Sequence, residues 1–135
     1  MRPQTWQLID REKPWTANAE RTFHYHKRAK LVRECRERFH WLAIAAQIPP
    51  LDQISVEVWP LSASKRTRQD VAAVFPTVKA AIDGIVDAGV IPDDSAKHLV
   101  SLTFYPLRRW QHDGLLLTLT TGGNREPIQT TDRPG

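Results

Sequence analysis

Cysteine is all but missing from this sequence: Cys35 is the single one in 135 residues. No internal disulfide can form, and a reducing cytoplasm is the expected compartment. No apolar run approaches the ~18 residues that a membrane-spanning helix needs. The N-terminus carries no signal-peptide pattern. There is no glycine-rich phosphate loop, no zinc-site spacing, no serine triad and no internal repeat. Disulfide scaffolds, membrane spans, nucleotide-cradling loops and zinc modules are thereby set aside.

What is present fits one ordinary globular domain. Apolar residues make up 41% and charged residues 25% of the chain, within the soluble range. The length suffices for one core. Net charge is +4 and the sequence pI is about 9.6. That balance favours a polyanionic partner without naming one.

Trp6 to Ile9 is a short strand candidate, and Pro14 to Asn18 reads as a loop. From about Thr22 to Gln47 the pattern is helical. Leu31, Cys35, Phe39, Leu42 and Ala46 recur at steps of four and three, and Pro49-Pro50 ends the run. Ile54, Val56 and Val58 alternate with Ser55, Glu57 and Trp59, as in a half-buried strand. Ser62 to Gln69 is a polar, basic loop. A second helix is predicted over Phe75 to Ala88, with Pro76 in its first turn and Gly89 as a left-handed cap. Gly84 inside it predicts close approach of another backbone. Leu99 to Tyr105 and Leu115 to Thr120 read as two strands joined across Gln111 to Gly114 in an antiparallel hairpin. Residues 121–135 read as a disordered tail behind a single domain spanning 1–120. The order strand, helix, strand, helix, strand, strand predicts an α+β fold, with two helices packed on a small mixed sheet.

The chemistry concentrates between Arg66 and Asp94. Asp70 follows Lys65, Arg66 and Arg68. In an extended segment, residues 70 and 72 share a side, and two carboxylates there could hold one Mg²⁺. Position 72 is Ala72. The plainer reading of Asp70 is a helix cap. Asp93-Asp94 follows the turn after the second helix, and it reads either as a solvated turn or as further metal ligands. Lys79 either contacts a phosphate or pairs with Asp83 at i,i+4.

Residues 64–68 and the helix residues Lys27, Arg28, Lys30, Arg33, Arg36 and Arg38 are positive, with Glu34 and Glu37 interrupting the helical face. DNA contact is open for both. His24-Tyr25-His26 is better read as solvated side chains near a helix start than as metal ligands. Cys35 is better read as core than as nucleophile.

At these residues the chain resembles the RusA family of phage and prophage Holliday junction resolvases. Members carry an Arg-rich loop leading into Asp-x-Asp-Asn, a helix with a lysine and an Asp-(Ala/Gly) pair, then Ala-Gly and a closing Asp-Asp. Lys79, Asp83-Gly84, Asp87-Ala88-Gly89 and Asp93-Asp94 match that order. Pro76-Thr77-Val78-Lys79 resembles the actinobacterial-phage branch, and Pro14 to Asn18 loosely resembles the loop after the family's first strand. The resemblance covers most of residues 6–120.

It implies a Mg²⁺-dependent homodimeric endonuclease that makes paired nicks in four-way DNA junctions in the cytoplasm of a host cell. Asp70 and Asp94 would be metal ligands with Asp93 nearby. Lys79 would sit at the phosphate, and Lys65, Arg66 and Arg68 would contact DNA. The family's second aspartate falls on Ala72 and its asparagine on Ala73, which implies a weakened or inactive site. The rival expectation is a non-catalytic protein that binds DNA or a host protein on the same fold.

Overall fold

The computed structural model describes residues 3–65 and 68–121. Eight elements follow in chain order: β1 (Thr5–Asp10), α1 (Ala17–Glu20), α2 (Tyr25–Ala45), β2 (Ile54–Ser62), α3 (Phe75–Asp87), β3 (Leu99–Phe104), β4 (Arg108–Arg109) and β5 (Gly114–Thr121). The strands form one mixed sheet in the order β1-β5-β2-β3, with the short β4 also paired to β2. The α+β class expected from the sequence is the class observed.

The alternation in β2 works as its pattern dictates. Ile54, Val56 and Val58 are buried, while Ser55, Glu57 and Trp59 are only partly covered. The same side of the sheet carries Leu8, Leu117 and Leu119. These pack in one core with Cys35 and Phe39 of α2 and with Val78, Ile82 and Ile85 of α3. Burying each large side chain of this kind contributes about 1.5–3 kcal/mol.

The expected hairpin of the last two strands does not form. β3 lies parallel to β2, whereas β5 runs antiparallel to both β1 and β2 and separates them. The physical reason is burial. Leu115, Leu117 and Leu119 of β5 are all fully buried, so this strand takes a central position with neighbours on both edges. β3 is half-buried at best and suits an edge. The β2-α3-β3 path is a crossover between parallel strands, a connection that a helix can make.

Other boundaries also move. Part of the expected loop 14–18 is helical, because Thr16 Oγ1 accepts from Ala19 N at 3.2 Å and caps α1. Residue 121, placed in the tail by the sequence, ends β5, and Thr121 N donates to Gln4 O at 2.9 Å. The rest of the tail, and Arg66, lie outside the described residues. Among the described residues no helix is long and apolar enough to cross a membrane.

Two glycines fix how α3 sits. A Cβ on Gly84 would meet Arg36 O at 2.1 Å and His40 N at 3.0 Å, so α2 and α3 cross nearly backbone to backbone. Gly89 has φ +83°. There Gly89 N donates to Val86 O and Val90 N to Ile85 O, a paired C-terminal closure with Val90 buried beyond it. That closure turns the chain sharply and sends residues 90–98 back along α3.

Candidate functional site

The returning segment brings two distant parts of the sequence together. Lys79 Nζ donates to Asp83 Oδ1 at 3.1 Å, one turn along α3, and also makes a short contact with the Asp94 carboxylate. The i,i+4 reading of Lys79 is thus observed, and the same ammonium also reaches the closing Asp-Asp pair. The Lys79 ammonium is held above its ordinary pKa, first by the hydrogen bond to Asp94 and then by Asp83. Its side chain is about half exposed, so these pairs are weak contributors to stability. They leave a cation and two carboxylates open to solvent on one face.

Asp93 does not join them. Its Oδ1 accepts from Ser95 N at 2.8 Å, the local turn that an aspartate favours. Those hydrogen bonds hold its carboxyl below the usual range. Asp93 shapes the turn, and Asp94 projects to Lys79.

Asp70 lies in the turn that precedes α3. It is exposed and opens a turn in which Ala73 N donates to Asp70 O and Phe75 N to Ala72 O. Its carboxylate does not cap α3, whose N-cap is Val74 with no side-chain hydrogen bond. Ala17 N donates to Ala73 O at 2.9 Å and docks α1 on this turn. Asn18, Arg21, Asp70 and Ala72 line one recess of about 420 Å³. Along α3, Glu20, Arg28, Phe75, Lys79 and Asp83 line a second, of about 280 Å³. Among the described residues, no hydrogen bond or ion pair joins Asp70 to Lys79, Asp93 or Asp94.

The loop after β1 therefore meets the residues on either side of Ala72, although the two are some fifty positions apart. Sequence reading gave Asn18 only a loose role and missed Arg21. The signal for Arg21 is weak, since an arginine shortly before a basic helix has no pattern of its own.

Divalent-cation chemistry calls for several carboxylate oxygens. Here position 72 supplies a methyl group, Asp94 is held by Lys79, and one Asp93 oxygen is held by Ser95 N. Among the described residues, no three carboxylate, imidazole or thiol side chains gather so as to hold an ion. As folded, the donor set does not complete a Mg²⁺ site.

The positive charge is divided. On α2, Arg36 forks onto Asp87 at 2.5 and 2.8 Å. Arg38 forks onto buried Asp10 at 3.0–3.1 Å. Arg28 pairs with Glu20 at 3.3 Å, and Lys27 lies over the Phe23 ring at 4.3 Å. Among the described residues, only Lys30 and Arg33 of the six basic residues predicted on this face have no such partner, so most of the helix face is structural. Lys65 and Arg68 are exposed and make no ion pair with other described residues.

The remaining candidates take their plainer readings. His24 is the N-cap of α2, its Nδ1 accepting from His26 N. Cys35 is fully buried, and burial pushes its thiol up to about 12. A thiol held there is not a nucleophile at neutral pH. Trp59 stacks on Tyr105 with ring centroids 3.9 Å apart, and Tyr105 Oη donates to Glu57 Oε2.

Among known proteins, no family model matches this chain and no curated protein matches it.

Proposed function

We propose that this chain is a junction-resolving endodeoxyribonuclease whose Mg²⁺ site is weakened at Ala72. The observation that carries the reading is the contact of Lys79 with Asp94. Two pieces of the resembled motif, fifteen positions apart, converge on the solvent face of α3. The position of Asn18 beside Asp70 and Ala72 adds to it.

On this reading Lys65, Arg66 and Arg68 meet the phosphates of a four-way junction, and Lys79 approaches the scissile phosphate. Phosphate competes with Asp94 for the same ammonium, so DNA binding frees the Asp94 carboxylate. Asp70 and Asp94 are the carboxylates that would share Mg²⁺, with Asp93 shaping the turn that carries Asp94. A bound Mg²⁺ would polarise the phosphate and supply an activated water. The described residues as folded do not complete the ion's site. Paired nicking requires two copies of the chain, and the setting is the cytoplasm of a host cell.

The test is cleavage of a synthetic four-way junction with Mg²⁺ by this chain and by Ala72→Asp. The native chain is expected to bind the junction and to nick it feebly or not at all. The variant is expected to nick it in pairs. A folded Ala72→Asp protein with no nicking would sink the nuclease reading.

One observation favours the second reading, a non-catalytic binding protein. The carboxylates of the closing pair are already satisfied, Asp94 by Lys79 and Asp93 by Ser95, so the turn is complete without an ion. Equal affinity for linear and branched duplex, with no heat of Mg²⁺ binding, would support it.

A further inference from the structure

A groove of about 720 Å³ runs between α2 and the edge strand β1, away from the face of Lys79. Its apolar lining includes Ile9, Trp41 and Leu42. Trp41 is 59% exposed and Ile9 38% exposed, and Ile44 beside them is 45% exposed. Glu12, Glu34 and Glu37 stand around the groove. None of these three carboxylates has an ion pair or side-chain hydrogen bond among the described residues. Asp10 in the same groove is already neutralised by Arg38.

This combination is unusual for a chain of net charge +4. The unpaired carboxylates inside the groove repel phosphate, so the groove does not suit DNA, while on its outer side Trp41 borders a separate recess with Arg33, Arg36 and His40. The carboxylates complement a partner that offers apolar side chains flanked by lysine or arginine. The stripe Glu34, Glu37, Trp41 and Ala45 spans twelve residues of α2, or roughly 16 Å from end to end. That matches about three turns of a second helix laid alongside, with anchors at i, i+3 or i+4, and i+7.

We propose that the groove between α2 and β1 is a docking site for a basic amphipathic helix of another protein. The proposal does not depend on nuclease activity. A DNA-binding face and a protein-binding face then lie on different parts of one small chain, and charge sorts the two kinds of partner.

The probe is a fluorescein-labelled synthetic helix of about four turns, with leucines on one face and lysines flanking them. A control peptide of the same length replaces the lysines with glutamates. Saturable binding of the lysine peptide is expected, followed by anisotropy. Trp41→Ser should weaken it roughly tenfold, as loss of an aromatic anchor does. The double variant Glu34→Lys, Glu37→Lys should weaken it at least as much and should begin to take the glutamate peptide. All three positions are exposed, so folding is kept, and far-UV circular dichroism checks this. No saturable binding, equal affinity for both peptides, or affinity unchanged in both variants would overturn the proposal. A dimer that Trp41→Ser converts to monomer, with no peptide binding, would assign the groove to a second copy and would also overturn it.

Discussion

Lys79 of α3 and Asp94 of the turn before β3 are in direct contact, although the whole C-terminal closure of the helix lies between them. The contact exists because Gly89 takes φ +83° and returns the chain along the helix that it has just left. The candidate site and the chain path are therefore linked at one glycine. A side chain at position 89 meets no steric obstacle, but the left-handed backbone strains any residue with a Cβ by about 1 kcal/mol or more. Gly89→Ala should loosen the Lys79–Asp94 contact before it unfolds the domain.

Lys79→Gln separates binding from stability. The ammonium is half exposed and its two pairs are solvent-screened. Urea unfolding should therefore shift by less than about 1 kcal/mol. On the proposed nuclease reading, competition binding should show a clear loss of junction affinity at low salt, because that reading gives Lys79 a phosphate contact. A variant that binds junctions as well as the native chain would remove Lys79 from the DNA face.

Gly84→Ala should be among the most damaging small substitutions in the chain. The added methyl would stand 2.1 Å from Arg36 O, a backbone atom that cannot rotate away. The two helices must part, opening the core at Phe39 and Ile85. A loss of about 2–4 kcal/mol is expected from urea denaturation, in the range of core overpacking and repacking. Helix propensity alone would predict a gain of about 1 kcal/mol, so the sign of the change decides between the two effects.

The Asp10–Arg38 pair offers a cleaner test of buried charge. Asp10 is 5% exposed and Arg38 about one third exposed. Arg38→Met strands the carboxylate and should cost about 3 kcal/mol, the lower end for such pairs because one partner still sees water. Adding Asp10→Asn should recover much of the loss. Thermal or urea melts of the three proteins check the cycle, and simple additivity would show that the two side chains are uncoupled.

The legible parts of this fold were those encoded by local period and punctuation. The step of three and four from Leu31 to Ala46, the alternation in β2, and Gly84 and Gly89 each state a local geometry, and each is observed. Strand pairing is a different matter. β3 and β5 are separated in sequence by only the two-residue β4, yet β5 pairs with β1 and β2 instead, where Leu115, Leu117 and Leu119 are fully buried. A single strand's sequence does not record how many neighbours it has. The candidate site was legible only as separate residues, not as an arrangement. Lys79 and Asp94 were named from their order, and the closure at Gly89 joins them. Which cations on α2 were free was not legible, because the partners Asp10, Glu20 and Asp87 are brought to it from other elements.

Acid should act through Asp87. The Arg36 guanidinium beside it holds its carboxyl below the ordinary value. A depressed carboxyl contributes stability that is present above its unfolded pKa and lost as pH falls through the folded one. Urea midpoints should thus decline below about pH 4, and Asp87→Asn should show a shallower decline. The effect is small, because both side chains are more than a third exposed. Identical acid profiles for the two proteins would show that the fork is formed at no net gain.

Assembly is the last prediction. Two symmetric nicks across a junction need two sites related by a two-fold axis, and one chain carries one candidate site. A C2 dimer is the simplest arrangement that supplies them. Both edges of the sheet are open to pairing: β1 on one side and β3 on the other. Trp6 and Trp110 are partly exposed, and Trp59 is held rigid by its stack on Tyr105, so each is suited to anchor an interface at little cost in side-chain freedom. In such a dimer Lys65 and Arg68 of both copies should face the same duplex arms. Junction affinity should then fall steeply as salt rises. Sedimentation at micromolar concentration, with and without junction DNA, is expected to show a dimer. A strict monomer in both conditions would exclude paired cleavage and leave the binding-protein reading as the better account of Lys79 and Asp94.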